Sequence, residues 1–229
     1  MRECILTSRD QGWYQWAQQF AGSRRDRSMV AFPSVRGGRA LTRAQILAAY
    51  RQAARRARDG MLIVSAGHGG TAGLSNGMVD LAPDGALRLT GAHLSLYAAG
   101  RLQRRDLPVV QTVIAIGGIL RQNTVRKVLF ISCNVGRSLE FLGAIAGHWG
   151  GCTVGGYRPL VNIAWIELQR GRRTYYVYLG DDRPRSDDAI RARSTNYPPL
   201  LPPAYASASR PVRALRTRRA GVPPPMVTH

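Results

Sequence analysis

The sequence predicts an α/β fold whose central sheet is mainly parallel, with antiparallel hairpins appended, and three observations carry that prediction. Strand-like runs alternate with segments of helical period through the middle of the chain. Two of the runs, 61–65 and 126–131, are apolar and end abruptly in small-residue turns. Near the end of that region, 162–169 and 174–179 flank Gly171 and are rich in β-branched and aromatic residues, the pattern of a hairpin.

Taken in order, Cys4 to Leu6 open a first strand. Trp13, Trp16, Ala17 and Phe20 then fall at helical spacing over 12–20, a stripe that reads as core. Residues 29–32 form a short strand, and Arg36-Gly37-Gly38-Arg39 reads as a loop. Thr42 and Gln45 fit a capping box. The helix they start puts Ile46, Leu47, Tyr50, Ala54 and Ala57 on one face, with Gly60 as its stop. After the 61–65 strand, Pro83-Asp84-Gly85 marks a turn between strands at 78–81 and 86–89. Thr90 caps a helix over 91–102, and Asp106 caps another that starts near Pro108 and runs to Leu120 despite Gly117-Gly118. The 126–131 strand, a helix over 138–149 and a strand at 152–154 complete the alternation before the hairpin. These elements assign residues 1–182 to one domain. Residues 183–229, with their proline clusters and arginines, read as a basic tail that is largely disordered or extended.

The chain of 229 residues is 45% apolar, enough for one sizeable core. Its 33 Lys+Arg against 13 Asp+Glu give a formal charge of +20, and Lys127 is the only lysine. Codon bias in a G- and C-rich genome explains arginine in place of lysine but not the charge itself. An acidic partner therefore fits: nucleic acid, an anionic membrane surface or an acidic protein. Cys4, Cys133 and Cys152 show no paired spacing, so neither a disulfide framework nor a zinc ribbon is expected. With no secretory leader and no run near the roughly 20 apolar residues of a membrane span, the expected location is the cytoplasm.

The two apolar runs also carry the chemistry. One leads into Gly67-His68-Gly69-Gly70 and the other into Ser132-Cys133-Asn134-Val135-Gly136. If the strands are parallel neighbours, His68 and Cys133 share the crevice at the carboxyl ends of the strands, where open α/β sheets hold ligands. A thiolate nucleophile with an imidazole base is then in place. Alone, a histidine in a turn is usually a surface residue and a buried cysteine a small hydrophobe; the joint pattern sets these two apart. His93 and His148 fall in or beside helices and read as structural, and Cys4 and Cys152 as core. No pair of histidines has zinc-ligand spacing, and no Gly-Lys-Ser/Thr follows a glycine-rich turn.

A strand ending in His-Gly, an interval with a hairpin and helices, then a strand ending in Ser-Cys-x-x-Gly resembles the caspase-like cysteine peptidases, the group that includes caspases, metacaspases, legumains, separases and bacterial CHAT-type proteases. The likeness covers residues 41–179. It implies a caspase-like three-layer sandwich and a cysteine endopeptidase acting on protein or peptide substrates. In that reading His68 is the base, Cys133 the nucleophile, and the amides of Gly69 and Cys133 the oxyanion hole. It requires no cofactor or metal and implies roles in bacterial defence, cell death or toxin delivery. Caspases carry glutamine and metacaspases commonly aspartate two residues before the nucleophile, where this chain has Ile131, so the specificity pocket is not transferred. The competing readings are a basic nucleic-acid-binding module without catalysis and an inactive caspase-like interaction protein.

Overall fold

A computed structural model describes residues 1–34, 41–65, 68–70, 73–75, 89–182, 184–194 and 204–206, the backbone alone at 68–70, 73–75 and 204–206. The chain opens β1 (Glu3–Thr7), α1 (Gln11–Ser23), β2 (Arg27–Ala31), α2 (Arg43–Arg56) and β3 (Met61–Ser65). Three short strands follow, β4 (His68–Gly70), β5 (Gly73–Ser75) and β6 (Leu89–Thr90), then α3 (Gly91–Ala98) and α4 (Leu107–Gln122). After these come β7 (Lys127–Phe130), α5 (Leu139–Trp149), β8 (Thr153–Gly156), β9 (Val161–Glu167), β10 (Arg173–Leu179), α6 (Asp187–Arg193) and β11 (Ala204–Ala206). The loop expected at Arg36–Arg39 and most of the hairpin expected around Pro83-Asp84-Gly85 lie outside the described residues.

The central sheet has the order β11-β8-β7-β3-β1-β2. β2, β1, β3, β7 and β8 are mutually parallel and β11 runs antiparallel against β8, so the expected α/β class with a mainly parallel sheet holds. Alternation along each strand sends side chains to two different cores. Cys4, Leu6, Leu62, Val64, Val128 and Phe130 pack beneath α2, α3, α4 and α5. Ile5, Ile63 and Leu129 face α1 and the β9–β10 hairpin, where Trp16, Ala17, Tyr175 and Val177 cover them. A second layer outside the hairpin joins Ala164, Ile166, Tyr176 and Tyr178 to Ile190 of α6.

Local signals set most helix boundaries. Thr42 Oγ1 accepts the Gln45 N–H at 3.3 Å while Gln45 Oε1 accepts the Thr42 N–H at 2.8 Å, closing the capping box that starts α2. Thr90 does the same for α3, with an unusual partner. The Thr90 N–H donates to His93 Nδ1 at 3.1 Å and the His93 N–H to Thr90 Oγ1 at 3.3 Å, so His93 is a capping residue. The expected helix over 91–102 stops at Ala98, because Gly100 takes φ +71°. There the Arg101 N–H bonds the Leu96 carbonyl and the Gly100 N–H that of Tyr97, the two bonds of a Schellman motif. At α4, Asp106 is the N-cap residue but makes no side-chain capping bond; Pro108 near the helix start serves instead.

Two glycines have tertiary reasons that the sequence did not show. The left-handed residue after α2 is Asp59 (φ 58°), not Gly60. Gly60 instead lets β3 start against β1, since a Cβ there would overlap the Arg2 carbonyl oxygen. Gly117 stays inside α4 because α5 crosses there: a Cβ would lie 2.7 Å from Trp149 Cδ1 and 2.8 Å from the His148 carbonyl oxygen. Trp149 completes that crossing by donating its Nε1–H to the Val113 carbonyl at 2.9 Å.

His148, on the same turn of α5, is buried against the Tyr97 ring, and its Nδ1 has no hydrogen-bond partner. Burial depresses its pKa below the usual 6.5, partly offset by a hydrogen bond to the Leu94 backbone. The unfolded chain binds this proton more readily than the folded one, so stability is expected to fall as pH drops below 6.5. Thermal unfolding followed from pH 7.5 to 5 tests this, with His148→Leu expected to lose much of the decline.

Elements continue past Asp182, where the tail was expected to begin. Ser186 caps α6, with its Oγ accepting the Ala189 N–H at 3.2 Å, and β11 adds to the β8 edge. The remainder of 195–229 lies outside the described residues.

Candidate functional site

The strands that lead to His68 and Cys133 are hydrogen-bonded neighbours. Met61 pairs with Lys127 and Val64 with Phe130, in parallel, and the Ile131 N–H carries the ladder one step further by donating to the Val64 carbonyl at 2.9 Å. From that level the chain reaches Cys133 in two residues on one strand, and His68 three residues beyond Ser65 on the other. Both therefore belong to the carboxyl edge of the central sheet. His68 does not stand in a plain turn as expected: it opens β4, with His68 opposite Ser75, Gly69 opposite Leu74 and Gly70 opposite Gly73. β5 then pairs with β6, so His68 belongs to a small antiparallel sheet separate from the central one. The His68 side chain lies outside the described residues.

Cys133 is better defined. It is half-buried against the core on the α1 side, and its Sγ lies 3.4 Å from both the amide nitrogen and the carbonyl oxygen of Val161, the first residue of β9. Immediately after it the backbone reverses. Asn134 adopts a left-handed conformation (φ 57°), which asparagine tolerates better than most residues, and a short 3-10 turn over Val135–Arg137 follows. The Asn134 N–H bonds the Pro159 carbonyl at 3.1 Å and the Gly136 N–H that of Tyr157 at 2.8 Å. Gly136 is required here: a Cβ would overlap the Gly156 carbonyl oxygen and lie 2.8 Å from the carbonyl carbons of Gly156 and Tyr157. Ser138 then caps α5 by accepting the Phe141 N–H at 3.3 Å.

The other two thiols are set apart from this edge. Cys4 is fully buried under α2, and burial raises its pKa. Cys152 donates to the Val125 carbonyl at 2.9 Å, and burial pushes its pKa up to about 11. Of the three thiols, Cys133 alone combines partial exposure with a strand-end position. Among the described residues no group of three or more His, Cys, Asp or Glu is arranged to hold a metal ion. No helix among them is long and apolar enough to cross a membrane.

One feature of the edge escaped the sequence reading. Thr7 and Ser65 end β1 and β3, and Ser132 lies two residues past β7; all three are buried and have hydroxyls with no hydrogen-bond partner among the described residues. Thr7 and Ser65 are register partners and lie two residues beyond Ile5 and Ile63, so both face the α1 side, as Cys133 does. Buried hydroxyls ordinarily find a partner, so three without one mark this edge. The signal was present as a small polar residue closing each apolar run, but only the strand order brings the three together. The β1–β3 boundary is also where the strand order reverses, the usual crevice of open α/β sheets. No protein-family model, curated protein or solved structure matches the chain.

Proposed function

We propose that this chain is a cysteine endopeptidase of the caspase-like kind, with Cys133 as nucleophile and His68 as general base. One observation carries the reading above the others: β3 and β7 pair in parallel and in register, so the segments leading to His68 and Cys133 leave the same edge side by side. The abrupt left-handed turn at Asn134 adds support, because backbone held in a sparsely populated region next to a reactive side chain is a recurrent feature of active sites. In the proposed reaction the imidazole takes the thiol proton and Sγ attacks the scissile carbonyl of a protein or peptide. The Gly69 and Cys133 amides hold the oxyanion, each such donor lowering the barrier by about 3 kcal/mol. The imidazolium then protonates the leaving amine, and water hydrolyses the thioester. No step needs a cofactor.

The test is mass-spectrometric mapping of a limiting thiol-directed electrophile on the full chain, wild type against His68→Ala. Selective labelling of Cys133 that falls in the variant is the expected outcome, with Cys4 and Cys152 silent because both are buried and held as thiols. Labelling of Cys133 that is absent, or indifferent to the histidine, overturns the proposal.

A further inference from the structure

We infer that the amino-terminal edge of the central sheet, opposite Cys133, binds the phosphate backbone of a single-stranded nucleic acid, with Trp165 as a stacking surface for its bases. The parallel ladder sets strand starts side by side. The Glu3 N–H bonds the Asp26 carbonyl, the Met61 N–H that of Arg2, and the Arg126 N–H that of Gly60. Exposed Arg25, Arg2, Arg58 and Arg126 therefore precede β2, β1, β3 and β7, four neighbouring strands, with Arg2 and Arg126 immediately before theirs and Arg25 and Arg58 two and three residues before theirs. Two of the three acids of this edge are already paired with other arginines. Glu3 is engaged by Arg27 at 2.8 Å and Asp26 by Arg24, and Asp59 accepts the Thr124 hydroxyl. Arg25, Arg2, Arg58 and Arg126 form no ion pair among the described residues. Helix dipoles account for cations where α1 and α2 end, but not for Arg2 and Arg126, which stand at strand starts.

The hairpin extends this surface. Gln19, near the end of α1, accepts the Tyr175 N–H at 2.8 Å and donates to the Arg173 carbonyl at 2.9 Å, which fixes the hairpin tip at the same end of the molecule. There Trp165 is 42% exposed, with the Arg173 guanidinium 5.3 Å from its ring centroid. A line of arginine forks beside an exposed indole suits a strand of phosphates with unstacked bases. A bilayer rewards a broad apolar face inserted among the cations; the large apolar residues exposed on this surface, among the described residues, are Met1 at the strand starts and Trp165 and Leu168 on the hairpin, too few and too scattered along the sequence to make such a face.

Fluorescence anisotropy of a labelled oligothymidylate with the full chain, at several salt concentrations, tests the inference. Arg25→Gln/Arg58→Gln/Arg126→Gln is expected to weaken binding and reduce the slope of log K against log salt by about 2, three contacts at roughly 0.7 each. Trp165→Ala is expected to weaken binding about fivefold or more with the slope unchanged. Unchanged thermal unfolding of these surface variants separates lost contacts from lost structure. The inference is overturned by absence of binding, by full binding in the triple variant, which assigns it to the arginines after Ser194, or by preference for phosphatidylserine vesicles over the oligonucleotide.

Discussion

Gly136→Ala is expected to destabilise the protein by about 3 kcal/mol or more, the upper part of the range for overpacked sites. The three atoms nearest the added Cβ are all backbone: the Gly156 carbonyl oxygen, and the carbonyl carbons of Gly156 and Tyr157 at 2.8 Å. Backbone cannot rotate away as a long side chain can, so the turn after Cys133 must separate from residues 156–159. That separation also strains the Gly136 N–H bond to Tyr157 and the Asn134 N–H bond to Pro159. Gly143→Ala is the control. It lies within α5 with nothing within 4 Å of its added Cβ, so it should stabilise by up to about 1 kcal/mol through helix propensity alone. Urea unfolding of both variants gives the comparison. A Gly136→Ala protein as stable as wild type would show that the turn relaxes freely and is not the fixed support described for Cys133.

The second large effect concerns the dyad. Cys133→Ala is expected to bring peptide hydrolysis to background, and His68→Ala to lower kcat/KM by about 10²–10⁴, the usual contribution of general acid–base catalysis. The double variant should be no slower than Cys133→Ala, because residues acting in one step lose their contribution together. Hydrolysis of a mixed peptide library, read by mass spectrometry, supplies the rates. Activity that survives Cys133→Ala would remove this cysteine from the chemistry; additive losses would separate the two residues into different steps.

Much of this architecture was legible locally. Thr42 with Gln45, and Thr90 before its helix, announced α2 and α3 through capping chemistry contained within four residues. The β9–β10 hairpin was legible because its pairing is also local. Strand order was not, since β1 pairs with β3 across more than fifty residues and no local residue encodes that choice. The glycines divide along the same line. Gly100 and Gly171 serve their own backbone at positive φ, whereas Gly60, Gly117 and Gly136 answer to carbonyls or rings brought from elsewhere. At the candidate site, Cys133 follows its strand as the sequence placed it, but Thr7 and Ser65 gave no signal of their own. A lone threonine and a lone serine carry no motif until the β1–β3 register sets them opposite each other.

The order of strands also bears on how the chain is assembled as it emerges. β1 is laid down in the interior of the sheet, β2 takes one flank, and β3, β7, β8 and β11 are then added outward on the other flank in the order of synthesis. Each new strand up to β8 finds its neighbour already present, so the sheet grows vectorially without threading a strand between two others. Growth in a single direction leaves one lateral border raw until the end. β8 holds that border, and the three residues Ala204–Ala206, running the opposite way, are what finally occupy it. A chain cut before them would present β8's unsatisfied amides and carbonyls as a template for a second copy, which gives this short segment the character of a safeguard against self-association.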